Sequence, residues 1–432
     1  MTRRRRHWIA VLAVVTAATI PGAALAAAPG DRADEPRLVA RAVLPADTFA
    51  DGPPSGSAIG PGPINGRTPP FPSQPVQGFS ALIGSGRAGV YLALADNGYG
   101  AKANSADFLL RAYRIRPRWE RAGGGPGTVE VLGFVQFRDP DHRVAWPIVN
   151  QETDERLLTG ADFDPESIRR APDGTYWVGD EFGPFLLHFS AGGELLEAPV
   201  PFPVPRRLSA YGGGQDEVRS PDNPAFFGLP DDAARVAAAN LPRSRGIEGM
   251  ALSSDGRILY PSLEGALVAD PNQNRRVLYA YDLAKRRFRN WTAEYFTDAP
   301  ANAIGDLTAA GRDVLLLIER DNLQGDEAAT KRIYELEIDR LRGRAIPKTF
   351  LVDLLRIANP HLIGGPSQPG TIGLGDPFAF PFQTIESLLV LNRRTLVVAN
   401  DNNYPFSSGR RPGEPDDNEL IQVRLPRRLP SG

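Results

Sequence analysis

The sequence predicts an all-β fold, a β-propeller with five four-stranded blades counted and six kept open as an alternative, closed by an N-terminal strand. Three observations lead there. A motif built of a small or acidic residue, an apolar strand, a turn, a second apolar strand and an acidic cluster recurs five times. Its strands alternate with period two around Pro-Asp-Gly and Ser-Asp-Gly turns, which marks antiparallel hairpins. Gly 44 and Pro 41 in 432 residues make about a fifth of the chain, above the average of about 12% and suited to a turn-rich β protein.

The chain opens on a basic stretch, Arg3 to Arg6 with His7, followed by an apolar run from Trp8 to Ile20 and the small-x-small site Ala24-Leu25-Ala26. These are the parts of a secretory signal peptide, assigned to residues 1–26. The apolar run is shorter than the roughly 20 residues a spanning helix needs. The arginines before it are also compatible with twin-arginine export. A soluble, periplasmic or secreted product is expected, with no stable membrane insertion after cleavage. Residues 27–76 hold a strand, RLVARAVL from Arg37, and a Pro/Gly-rich irregular loop over 50–75. Residues 77–432 form the propeller domain.

The five copies begin at GFSALIG (Gly78), DPESIRR (Asp164), GIEGMAL (Gly246), IGDLTAA (Ile304) and TIESLLV (Thr384). Each is followed by a further alternating segment, such as FLLRAYRI from Phe108 or LIQVRL from Leu420, and most by a fourth, such as TVEVLGFVQF from Thr128. Four strands per repeat is the composition of a propeller blade. The last copy shows only three strands, so pairing it with RLVARAVL would close the ring and remove two free edges. An open pair of β-sandwiches is the competing fold. DDAARVAAAN from Asp231 reads as a short helix in the long loop 206–244.

Equivalent positions of successive blades line a central channel. Ser80, Glu166, Glu248, Asp306 and Glu386 are the repeated anchors, of which the four acids would form one ring. A second set ends the second strands: Asp96 and Asn97, Asp180 and Glu181, Glu264, Glu319 with Asp321 and Asn322, and Asp401 with Asn402 and Asn403. Carboxylates converging on one axis repel unless cations neutralise them, and oxygen-only ligation suits calcium. The expected calcium ligands are Asp96, Asp180, Glu181, Glu264, Glu319, Asp321 and Asp401. Glu166 and Glu248 are the expected acid or base, and Arg245, Arg320 and Lys331 the cations that offset substrate charge. The structural alternative is that these acids cap turns, pair with arginine or face solvent.

Other chemistry is narrowed by composition. The chain has no cysteine, which excludes disulfides, zinc fingers, iron–sulfur centres and a cysteine nucleophile. A net charge of −2 supplies no global attraction to nucleic acid, and no such partner is expected. The glycines Gly84, Gly86 and Gly89 match a dinucleotide fingerprint, yet they join two strands rather than opening a helix. DFDPES from Asp162 fails as an EF-hand loop because Ser167 stands where that loop needs glycine. No GxSxG elbow or Walker A loop occurs. Past the signal peptide the histidines are His142, His188 and His361, each isolated; His188 could serve as acid or base, although a structural role is the commoner case.

At DPES, GDEFGP, GIEGMA, ERDN and NDNN the sequence resembles the phytase-like propeller family named for the esterase-like activity of phytase, from about Gly78 to Leu425. The resemblance implies an exported, calcium-associated propeller hydrolase of phosphate esters or other esters, with site positions at Glu166, Asp180, Glu181, Glu248, Glu319, Asp321 and Asp401. Clustered Lys and Arg suited to a highly phosphorylated substrate are sparse. Two rival functions accompany this one: a calcium-dependent lactonase, and a non-catalytic binding propeller with structural calcium. A small-molecule ester is the expected partner, and the oligomeric state is left open.

Overall fold

The structure, a computed structural model, describes residues 34–338 and 345–430. The expected signal peptide, 1–26, lies outside the described residues. Among them no helix is long and apolar enough to cross a membrane.

The alternating segments fold as antiparallel sheets in chain order. The first holds Phe79–Gly84, Tyr91–Ala95, Arg111–Arg118 and Thr128–Gln136. Pro165–Arg170, Tyr176–Asp180, Phe185–Phe189 and the short Val200–Pro201 make the second. In the third, Ile247–Leu252 pairs with Ile258–Leu263, but the outer half is broken. Arg275–Leu278 and Tyr281–Asp282 share the place of one strand, and Arg287–Phe288 and Ala293–Phe296 that of the next. The fourth sheet is Ala303–Ala309, Val314–Arg320, Lys331–Glu337 and Lys348–Asp353.

The fifth sheet contains Thr384–Asn392, Thr395–Asp401 and Asn418–Arg424. Its outer place is taken by Arg37–Leu44, antiparallel to Asn418–Arg424 with Leu44 opposite Asn418. The closing strand buries Leu38, Ala40, Ala42 and Leu44 on one face, the alternation expected of a strand covered on one side. It is fastened by Arg41, whose guanidinium meets Glu419 at 2.7 Å while Arg410 holds the other oxygen of Glu419 at 2.7 Å.

The five inner strands neighbour one another in a ring, from Phe79–Gly84 through the other four and back. Their side chains are buried almost throughout, because both faces are covered. The apolar core is divided between adjacent sheets. Leu186, Ile247 and Tyr279 belong to the cluster between the second and third, and Ala251, Leu307 and Leu315 to the one between the third and fourth. This radial arrangement of sheets about an axis is a β-propeller.

The Pro/Gly-rich loop is tied down over the ends of the first and fifth sheets. Asp107 accepts from the amides of Gly56 and Ser57 at 2.8 and 2.9 Å, and Asn65 donates to the carbonyls of Pro405 and Phe406. The expected helix is present as Asp232–Ala238, capped by the Asp231 side chain accepting from the Ala234 amide at 2.8 Å.

Candidate functional site

Every inner strand carries a β-bulge at one equivalent point, between Phe79 and Ala81, Pro165 and Ser167, Ile247 and Gly249, Ile304 and Asp306, and Ile385 and Ser387. A bulge leaves its extra residue unpaired and re-aims that side chain. The bulged residues are therefore Ser80, Glu166, Glu248, Gly305 and Glu386. The expected ring placed Asp306 where Gly305 stands, and is corrected by one residue. At Gly305 no side chain fits, since a Cβ would lie 2.0 Å from the Ile385 carbonyl oxygen.

The second strands build another ring. The residues paired just before each bulge are Ala95, Asp180, Leu263, Glu319 and Asn400. Each is followed by Asp96, Glu181, Glu264, Arg320 or Asp401. Those five line one cavity of about 250 Å³, together with Asp164, Glu166, Glu248 and Glu386. The fourth sheet thus lacks an acid in both rings, with glycine in the first and arginine in the second, while the first sheet lacks one only in the first ring, at Ser80.

Arg320 enters the second ring as its one cation. Its guanidinium lies 2.5 Å from Glu386, 3.3 Å from Glu264 and 3.5 Å from Glu248, and all four residues are buried. Burial alone would make Arg320 easier to deprotonate, but Glu386, Glu264 and Glu248 reverse this and hold it charged. Arg245 adds an ion pair to Glu264 at 2.7 Å. One side of the mouth therefore has two guanidiniums set against three carboxylates.

Among the described residues, no arginine or lysine is bonded to the carboxylates of the other close group. Asp164, Glu166 and Glu181 are buried and bring carboxylate oxygens within 4.8 Å of one another, and Glu166 also belongs to an equally close group with Glu248 and Glu386. Asp164 is held by the Asn97 amide at 3.1 Å and the Asn97 side chain at 3.0 Å. Burial, and after it the charge of neighbouring carboxylates, pushes Glu166, Glu181 and Glu248 well above the usual range. Asp401 moves the same way, and Asp96 is pushed up to about 7. Such a group must carry protons or hold a cation. The Oε1 atom of Glu248 is buried without a hydrogen-bond partner.

Several expected site residues are placed elsewhere. Asp180 turns into the backbone, accepting from the Asp164 amide at 2.9 Å and the Gly183 amide at 2.7 Å. Glu319 is enclosed by the Tyr295 hydroxyl, the Asp298 amide at 2.6 Å, Asn302 at 2.7 Å and Lys348 at 2.9 Å. Asp321 caps its own loop, accepting from the amides of Ala329 and Thr330 at 2.9 and 2.6 Å. Lys331 is fully buried, its ammonium on the Asp321 and Gln383 carbonyls at 2.7 and 2.8 Å and on the Asp321 carboxylate at 3.0 Å. None of these four lines the cavity. His188 stacks on Trp177 with centroids 4.0 Å apart and bonds Glu197 and Thr175, a structural histidine away from the mouth.

Asp164, a mouth residue, is not among the site residues expected from the sequence, since DFDPES offers no signal beyond a spacing that does not fit an EF-hand. Nor is Ser244, which lines the cavity with a left-handed φ of 51°. The segment around Ser244 is pinned by Arg243 to Asp222 and by Arg245 to Glu264.

Comparison with known proteins follows from this geometry. Over 117 residues the chain is 32% identical to a protein of Arthroderma benhamiae (strain ATCC MYA-4681 / CBS 112371) named "Uncharacterized secreted protein", a match covering 26% of this chain and 22% of that one. Among solved structures, the PQQ-bound aldose sugar dehydrogenase of Streptomyces coelicolor aligns at 10% identity and TM-score 0.33 over 89% of this chain and 98% of that one. A protein of unknown function from Dyadobacter fermentans DSM 18053 aligns at 10% identity and TM-score 0.39, covering 90% and 99%. Residues 74–404 match the family described as "Phytase-like: Esterase-like activity of phytase", and the chain belongs to that family.

Proposed function

We propose that the protein is an exported calcium-dependent hydrolase of phosphate esters or other esters, with its site at the acidic mouth. The observation that carries this is the asymmetry of charge. Glu248, Glu264 and Glu386 share the guanidinium of Arg320, whereas the close group Asp164, Glu166 and Glu181 has no arginine or lysine bonded to it among the described residues. Hard oxygen donors at that spacing fit calcium.

Asp164, Glu166 and Glu181 would hold the ion, and calcium there supplies electrostatic polarisation of the ester oxygen and of a bound water. Glu248, in its ionised form, is suited to take a proton from that water, since its Oε1 accepts no hydrogen bond and has only the Arg320 guanidinium, at 3.5 Å, beside it. Arg320 does not meet substrate in this arrangement; it fixes Glu248 and Glu386 in place. Arg245, bonded to Glu264 and only partly buried, remains at the cavity wall. Export rests on the signal-like N-terminus and agrees with the secreted relative.

The lactonase reading keeps one observation in its favour. The arginines lining the cavity, Arg243, Arg245 and Arg320, are all engaged with protein carboxylates, which disfavours a multiply phosphorylated substrate. Melting of the mature protein after chelation, with and without calcium or magnesium, tests the metal. A calcium-specific rise of several degrees is expected by linkage, and no rise removes the metal mechanism. Phosphate monoesters and lactones assayed with calcium then separate the two enzymes, and turnover of neither favours a binding propeller. Full retention of turnover by Glu248→Gln would remove the base.

A further inference from the structure

A second cavity lies at the outer edge of the third sheet, where that sheet is broken. After Tyr281–Asp282 the chain turns and returns as Arg287–Phe288, with Phe288 opposite Tyr281 and Arg287 opposite Asp282. It then leaves this ladder and rejoins the sheet at Ala293–Phe296, which pairs with Arg275–Leu278 instead. The step between the two ladders borders a cavity of about 560 Å³, against about 250 Å³ at the mouth, and the two share no lining residue.

The lining holds three cations, Lys285, Arg287 and Arg289, and one carboxylate, Asp282. Arg289 lies 3.3 Å from that carboxylate. The side chains of Lys285 and Arg287 are exposed and form no ion pair among the described residues. Three cations less one carboxylate leave two positive charges on the cavity wall, in a chain whose net charge is −2.

The aromatic part of the wall is held from behind. Phe288 packs on the core between the second and third sheets, its ring centroid 4.8 Å from that of Phe202 and 5.0 Å from that of Tyr281. Trp291 packs on the core between the third and fourth sheets. Among the described residues neither the Asn290 side chain nor the Trp291 indole N–H makes a hydrogen bond, and both residues line the cavity. A merely solvated basic turn needs no concave aromatic floor. Guanidinium groups bind carboxylate and phosphate oxygens, an indole offers an apolar face and a polar handle, and a cavity of this volume admits a small molecule.

We infer that this cavity is a second binding site, for a sugar bearing a carboxylate or a phosphate, free or as one unit of an anionic glycan. The positive charge is confined to one concavity rather than spread along a face, which favours such a unit over the backbone of a nucleic acid. The site stands whether or not the mouth hydrolyses esters.

The test is calorimetric titration of the mature protein at low salt with tetragalacturonate, glucose 6-phosphate, the neutral maltotetraose and an oligothymidylate, each with a chelator and with calcium. Saturable binding of one or both anionic sugars is expected, unchanged by the chelator and absent for maltotetraose. Loss of charge-assisted contacts predicts a Kd about tenfold higher or more in the double variant Lys285→Gln with Arg287→Gln, at an unchanged melting temperature. Raised salt should weaken wild-type binding, a measurement that does not depend on the variant folding. The inference is overturned if wild type binds neither anionic sugar, if maltotetraose binds equally, or if the double variant binds as wild type does. Binding abolished by the chelator overturns it too, since the ligand then sits at the calcium mouth. Salt-insensitive binding, or tighter binding of the oligothymidylate, does the same.

Discussion

Arg169, on the inner strand of the second sheet, donates to Asp306 on the inner strand of the fourth at 2.9 Å, and these strands are not neighbours in the ring. The same guanidinium reaches the Leu307 carbonyl at 2.7 Å, and the second oxygen of Asp306 accepts from the Leu388 amide of the fifth sheet at 2.8 Å. One buried pair thus ties three inner strands together. It also shows why Asp306 is not part of the mouth.

Removing one partner of such a pair leaves an uncompensated buried charge. Arg169→Met is expected to lower stability by about 3–5 kcal/mol, read by urea denaturation. The double variant Arg169→Met with Asp306→Asn should recover part of that loss. The calcium-induced melting shift should persist in both.

The closing strand carries a pH dependence with a definite sign. Burial would raise the carboxyl of Glu419, but Arg41 and then Arg410 outweigh it and bring it down to about 2. A depressed carboxylate contributes stability above its unfolded value, about 4.3, and loses it as pH falls toward 2. The contribution is about 3 kcal/mol. Between pH 5 and pH 2.5 the melting temperature of wild type should therefore fall more steeply than that of Glu419→Gln. Parallel curves would show that Glu419 does not set this slope.

Lys331 separates a structural cation from a catalytic one. Replacing it by methionine leaves the buried Asp321 loop without its ammonium and is expected to cost about 3 kcal/mol. The folded fraction should keep an unchanged KM, because Lys331 does not reach the cavity. A KM raised without loss of stability would return Lys331 to the substrate.

Gly305 permits the ring to close. Gly305→Ala brings a methyl group against the Ile385 carbonyl and is expected to destabilise by about 1–3 kcal/mol through overpacking. Calorimetry reads the loss. A neutral result would mean that the inner strands of the fourth and fifth sheets can separate at no cost.

The propeller was legible because alternation, turn chemistry and an unpaired N-terminal strand are periodic signals that survive in one sequence. The rings were less so. Aligning acids placed Asp306 with Glu166 and Glu248, whereas aligning the flanking apolar residues, Ile304 and Leu307 with Ile247 and Met250, selects Gly305. The second ring turns on strand parity. Asp180 and Glu181 are adjacent, so their side chains leave opposite faces, and one satisfies backbone amides while the other enters the mouth. Arg320 likewise points inward from between Glu319 and Asp321, which do not.

The pairing of Arg37–Leu44 with Asn418–Arg424 also fixes an order of assembly. During synthesis, Arg37–Leu44 has only its short parallel contact with Thr128–Gln136 to hold it until Asn418–Arg424, its full antiparallel partner, has been made. Until then the fifth sheet presents an open edge, and the apolar side chains of both strands remain in water. Contacts between such distant positions make slow folding and exposure to aggregation intrinsic to this topology. The same latch means that a chain cut before Asn418 cannot seal its ring.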